Sequence, residues 1–145
     1  MANINRLTIL IVGGFLFIVD RIFKTLSISI WPGEHLAGRF IGWSPSVNTG
    51  IAFGLPVPAP AVITLSVIFI ICLAVFFWRT KNIYFRYGIF FLLLGAFSNL
   101  FDRLYYGETV DYFFFFITLF NLADILIIAG AAICLTASTA KAVNK

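Results

Sequence analysis

The sequence predicts an all-α integral membrane protein of four transmembrane helices, with a small extracytoplasmic subdomain of strands and loops between helices 1 and 2. Three observations predict it. The 145 residues are 61% hydrophobic and 11% charged, with a mean hydropathy of +1.04, whereas soluble domains carry roughly 25% charged residues. Four apolar runs reach the ~20 residues that a helix needs to cross the hydrocarbon core. All six acidic residues gather toward one end of those runs, and the other end carries basic residues alone.

The first span covers about 7–28. It lacks a small-residue cleavage pattern and carries Asp20, Arg21 and Lys24 toward its end, which predicts a retained span rather than a removable signal peptide. Asp20 and Lys24 are four residues apart, hence neighbours on one helix face, where a local ion pair explains them. The connection from Ser29 to Val57 contains Pro32, Gly33, Pro45, Gly50 and Gly54, which rule out one continuous helix and predict short strands and turns. The second span covers about 59–78 and the third about 84–105. In the third, Gly95, Asn99, Asp102 and Arg103 recur at helical spacing, a broad stripe that faces other helices rather than lipid. Tyr112 and the run Phe113 to Phe116 then suit the membrane interface as an anchor. The fourth span covers about 122–140 and opens on Asn121-Leu122-Ala123-Asp124, where Asn121 can cap the helix and Asp124 can return the bond. Residues 1–145 read as a single membrane-embedded domain.

Four spans put both termini on one side. Arg6, Arg79, Lys81, Arg86, Lys141 and Lys145 fall on that side with no acidic residue among them, so the positive-inside rule makes it cytoplasmic. Asp20, Glu34, Asp102, Glu108, Asp111 and Asp124, the six acidic residues, fall in the outer half. The ten basic residues form no cluster, and no nucleic-acid partner is expected. Cys72 and Cys134 sit in apolar runs without a C-x-x-C spacing and read as small core residues. His35 stands alone in the first polar connection, so no metal site is expected.

Insertion scales charge roughly 2.5 to 3.5 kcal/mol for an Asp, Lys or Arg at a span's centre, so intramembrane ionisable groups need a reason. Asp111 follows the turn residues Gly107 and Glu108 and emerges at nearly the depth of Asp124. The outward-facing N-terminus of the fourth helix favours an anion there. Two carboxylates that approach closely at one depth hold one proton between them, because repulsion raises one pKa while the other group stays ionised. Such a dyad activates water and protonates an oxyanion or leaving group. Ser98 lacks a G-x-S-x-G setting, His35 has no evident partner, and no glycine-rich phosphate loop is present. Spacing alone leaves two readings open: an aspartic catalytic pair, and a structural polar network. An ion-pathway protein would place such groups near the midplane, whereas these collect toward one face.

The motifs carry a family resemblance. The segment from Gly95 to Asp111, GAFSNLFDRLYYGETVD, resembles the G-A-x-x-N-x-x-D-R-x-x-x-G-x-V-V-D signature of lipoprotein signal peptidases (signal peptidase II). Phe120 to Asp124 is similar to that family's F-N-x-A-D, Asp20 to Lys24 to its D-x-x-x-K, and Asn48 to Gly54 to its N-x-G-x-A-F-G loop. Four motifs in order cover essentially the whole chain. Thr109 stands where the family usually has Val, nearly isosteric with it, and Ile51 is bulkier than the small residue common in the loop motif. The resemblance implies an aspartic endopeptidase of the bacterial inner membrane. It would remove signal peptides from diacylglyceryl-modified prolipoproteins just before the lipidated cysteine. It makes Asp111 and Asp124 the catalytic dyad near the outer face. It places Asn99, Arg103 and Asn121 in support or substrate binding, with Asp20, Lys24, Asn48, Gly95, Asp102 and Ala123 on further motif positions. The implied partners are prolipoproteins and membrane lipid, the expected state is a monomer, and no cofactor is needed. The loop at 48–54 and the aromatic stretch at 112–116 are candidate clamps on the substrate.

Overall fold

The computed structural model describes residues 5–49 and 57–143, with side chains described through residue 139. The elements run α1 (Arg6–Ser29), β1 (His35–Ala37), β2 (Ile41–Asn48), α2 (Ala59–Arg79), α3 (Ile83–Tyr105), β3 (Thr109–Phe115), β4 (Thr118–Phe120) and α4 (Leu122–Val143). The four expected helices therefore form within a few residues of their predicted ends. Local chemistry sets those ends. Asn5 accepts a hydrogen bond from the Leu7 amide to start α1, Pro60 lies in the first turn of α2, and Asn82 accepts from the Tyr84 and Phe85 amides to start α3.

Among the described residues, three helices are long and apolar enough to cross a membrane: α2, α3, and α4 over Leu122–Thr139. Their hydrophobic side chains point outward as well as inward, as in Leu65, Phe69 and Phe76 of α2, all exposed. An apolar exterior of this kind suits lipid. The 24-residue α1 has the length to span, and Leu10, Ile11, Phe15 and Ile18 are exposed along it, but Arg6, Asp20, Arg21 and Lys24 make it more polar.

The central helix is α3. Its Gly88, Ile89, Phe91, Leu92, Gly95 and Ala96 are buried, and it approaches α4 at glycine positions that leave no room for a side chain. A Cβ at Gly95 would lie 2.4 Å from the Ala123 carbonyl oxygen, and one at Gly88 would lie 2.7 Å from that of Gly130. Small residues thus let the two backbones touch, the usual device where lipid supplies no hydrophobic drive. Cys134 is partly buried in this contact, whereas Cys72, expected in the core, is exposed on the outward side of α2, with Ile70 and Leu73 beside it turned into the core.

The sheet differs from expectation. It is antiparallel in the order β1-β2-β3-β4, so two of its strands come from the connection between α1 and α2 and two from the connection between α3 and α4. Pairing of Ser46 with Asp111 and Asn48 with Thr109 joins the two connections. The physical reason is that β2 alone would leave a row of amides and carbonyls unpaired, and β3 satisfies them. The aromatic stretch is accordingly a strand and turn. Tyr112 is fully buried, and its ring packs against those of Phe23, Trp43 and Phe113. Phe116 and Ile117, at the β3–β4 turn, are exposed.

Candidate active site

The C-terminal ends of α1 and α3, the strand β3 and the N-terminus of α4 meet beneath the sheet, and there the predicted polar residues converge. Asn121 stands between the two candidate carboxylates. Its side-chain amide donates to Asp111 Oδ1 at 2.7 Å and to the Val110 carbonyl at 3.2 Å. Its Oδ1 accepts from the Asp124 amide at 2.9 Å, and its own amide donates to Asp124 Oδ2 at 3.1 Å. That reciprocal pair is the expected capping box. One residue therefore caps α4, orients Asp124 and holds Asp111.

Asp111 is 4% exposed. Burial in the first place, and the facing charge of Asp124 in the second, push its carboxyl up to about 6, while hydrogen bonds from Asn121 and Asn48 work against the shift. The Asn48 contact comes from the last residue of β2, so the sheet pairing itself delivers this group. Gly50, Ile51, Ala52, Phe53 and Gly54 of the same loop motif lie outside the described residues.

Asp124 is reached from the other side by Asn99, whose amide donates to Oδ1 at 2.9 Å. Asn99 is held in turn by Lys24 Nζ at 2.7 Å. Lys24, fully buried, pairs with Asp102 Oδ2 at 2.7 Å and with Asp20 Oδ2 at 3.4 Å. The Asp20–Lys24 pair is thus real but not merely local, because Asp102 on α3 is the nearer partner. Asp102 also accepts from Arg21 and, at 3.2 Å, from the Val110 amide. Asp20 accepts from Ser98, from the Tyr112 hydroxyl at 2.8 Å and from the Ala123 amide at 3.1 Å. The Tyr112 hydroxyl accepts from the Leu122 amide at 2.9 Å. The first three amides of α4 are therefore all satisfied by side chains, which locks the helix end that carries Asp124.

Burial, with Asp20 beside it, raises the Tyr112 phenol above its ordinary range and keeps it a donor. Gly95 and Ala123 contribute no polar group; they set the distance between α3 and α4. Arg103 faces Asp124, Asp102 and Asp111, yet among the described residues it forms no ion pair or hydrogen bond.

Every predicted site residue falls in or beside this centre. Arg21, Ser98 and Tyr112 were not singled out as part of it. Arg21 lies in the D-x-x-x-K segment and also stacks over Phe101 at 4.4 Å. Tyr112 is the single hydroxyl in an aromatic run, a signal that could have marked it as a buried donor. Among the described residues no three His, Cys, Asp or Glu side chains gather as a metal site would require.

Fold and centre together define an integral membrane protein whose paired carboxylates sit on a braced polar network at one end of its helices. A sequence model of the signal peptidase (SPase) II family matches residues 12–140. The chain belongs to that family of membrane peptidases. Among similar proteins, the lipoprotein signal peptidase of Brucella ovis is 31% identical, over 88% of this chain and 81% of that one. The lipoprotein signal peptidase of Clostridium novyi is 27% identical, over 80% and 86%. A bacterial membrane enzyme solved by the in meso method at 2.3 Å shares the fold with a TM-score of 0.85, covering 95% of this chain and 91% of that one at 24% identity.

Proposed function

We propose that this protein is an aspartic endopeptidase that cleaves signal peptides from diacylglyceryl-modified prolipoproteins just before the lipidated cysteine. The observation that carries the reading is the placement of Asp111 and Asp124 on either side of Asn121, one with its carboxyl pushed up to about 6 by burial and by the other. The pair holds one proton and a water between them. The ionised carboxylate takes a proton from the water as its oxygen attacks the scissile carbonyl carbon, and the protonated partner donates to the carbonyl oxygen. Collapse of the tetrahedral adduct breaks the C–N bond, and the dyad returns a proton to the leaving nitrogen. Arg103, which has no hydrogen-bond or ion-pair partner among the described residues, binds a substrate carbonyl beside the dyad. No cofactor takes part.

The whole chain acts as one domain in the bacterial inner membrane, with α1 as a fourth span and both termini cytoplasmic. Arg79, Lys81 and Arg86 support that orientation, since they flank the α2–α3 connection at the end opposite the sheet. The dyad then lies near the outer face, where water reaches it while the acyl chains of the substrate stay in the bilayer. The working state is a monomer. Incubation of purified protein with a prolipoprotein, with and without its diacylglyceryl group, tests the reading. Asp111→Asn and Asp124→Asn should each lower cleavage by about 10²- to 10⁴-fold. Cleavage retained in either variant rejects the dyad.

A further inference from the structure

The exposed apolar surface does not end with the helices. Two turns meet at the end of the sheet away from Asp111: Gly38-Arg39-Phe40 joins β1 to β2, and Phe116-Ile117 joins β3 to β4. The Phe116 amide donates to the Phe40 carbonyl at 2.6 Å, and the two rings lie 5.1 Å apart. Phe40, Phe116 and Ile117 are 55%, 52% and 93% exposed, and Leu36, Ile41 and Phe115 beside them are exposed too. The backbone is strained as well. Phe116 has φ 57°, the only described residue other than glycine with a positive φ, at the first position of a two-residue hairpin turn that ordinarily takes glycine. Glycine there would relieve the backbone and remove an exposed ring. An aromatic side chain held in that place has its use outside the protein's own core.

The depth of the sheet says what the tip meets. Phe23 lies six residues before the end of α1, hence about 9 Å inside it. Its ring packs against those of Trp43, Tyr112 and Phe113, with centroids 5.6 to 6.0 Å apart. The sheet therefore leans on the side of α1 within the outer part of that helix. From this contact the ladder continues through Gly42 and Phe114 to Ile41 and Phe115, and ends at the tip. Arg39 is exposed there, and residues 36–43 and 112–120 contain no acidic group. We propose that the paired turns form a foot in the outer leaflet, with Phe40, Phe116 and Ile117 among the upper acyl chains of the phospholipids and Arg39 on their phosphates. Apolar side chains with a basic residue at their margin match that boundary. The foot continues the apolar exterior of α1, on which Ile22 and Ile28 are exposed. The interfacial role expected of Phe113 to Phe116 thus falls to residues of both connections, and the strand that carries Asp111 rides at the height the foot sets. This inference rests on α1 spanning the bilayer, as in the reading given above.

The test uses the full chain with Cys72→Ser and Cys134→Ala, in vesicles of phosphatidylethanolamine and phosphatidylglycerol. A nitroxide is attached at Ile117→Cys, at Phe40→Cys or, as a control on α1, at Phe15→Cys. Collision rates with oxygen and with a water-soluble nickel chelate report its depth. Labels at 117 and 40 should lie about 5–10 Å beneath the lipid phosphates. Arg39→Glu, which sets a negative charge against those phosphates, should move both labels toward water, and unmoved labels overturn the role of Arg39. Preferential collision with the chelate at 117, while the label at 15 lies in lipid, overturns the inference alone. Spin–spin broadening at 117 that dilution in lipid does not remove makes the tip a contact between two copies of the chain, and overturns it too. A label at 15 that is open to the chelate overturns the inference together with the α1 span.

Discussion

The contact between α3 and α4 is built in two different ways at its two ends. At the end near the α2–α3 connection, Gly88 and Gly130 bring the backbones together, Leu73, Ile89 and Leu92 pack around them, and Asn82 donates to the Ala137 carbonyl at 3.3 Å. At the end beneath the sheet, Gly95 and Ala123 again permit close approach, but Asn99, Asp102 and Asp124 are surrounded by charges and amides drawn from α1 and β3. Apolar packing and one uncharged hydrogen bond join the first end. The second carries buried charges whose desolvation offsets much of their attraction, so close packing gives no reason to keep them. Their retention points to chemistry, and what they brace is the end of α4 that bears Asp124.

The largest expected effect comes from unpairing the charged end. Asp102→Ala leaves Lys24 and Arg21 without their nearest carboxylate and should cost about 3–5 kcal/mol of stability, read by thermal unfolding in micelles. A loss no larger than that of Gly88→Ala would mean that the two ends are held alike. A second effect depends on pH. The Asp111 carboxyl is raised from 3.8 to about 6 in the fold, so its contribution is fully present below pH 3.8 and is lost as pH rises to about 6. That loss is on the order of 3 kcal/mol, and Asp111→Asn should remove it. Unfolding curves at pH 4 and pH 7 should then differ less in the variant than in wild type.

Glycine substitutions separate packing from chemistry. Gly95→Ala and Gly88→Ala each force a methyl against backbone of α4 and should cost about 1–3 kcal/mol. Gly95→Ala should in addition depress peptidase activity, because the carbonyl it displaces belongs to Ala123, next to Asp124. Equal activity in the two variants would detach the dyad from helix spacing. The smallest effect is that of Tyr112→Phe, which removes the hydroxyl between Asp20 and the Leu122 amide and should cost about 1 kcal/mol in the same unfolding assay.

Much of this was written in the chain. Hydropathy marked all four helices, three of them apolar enough to cross a membrane, because lipid demands an apolar exterior whatever the neighbours are. The polar stripe of α3 and the capping box at Asn121 and Asp124 were legible because both are local patterns, repeating within one or two turns. The motif order pointed to the family. Other features were not legible from spacing. That β3 would cross to β2, turning an apparent interfacial stretch into the strand that delivers Asp111 and buries Tyr112, depends on pairing between segments some 65 residues apart. That Lys24 would prefer Asp102 to its own helix neighbour Asp20 depends on how α1 rotates against α3. Sequence spacing determines which groups can share a helix face or a strand face. Which groups meet across elements was decided by packing, because hydrogen bonds and ion pairs act over about 3 Å, a distance that only the assembled fold sets.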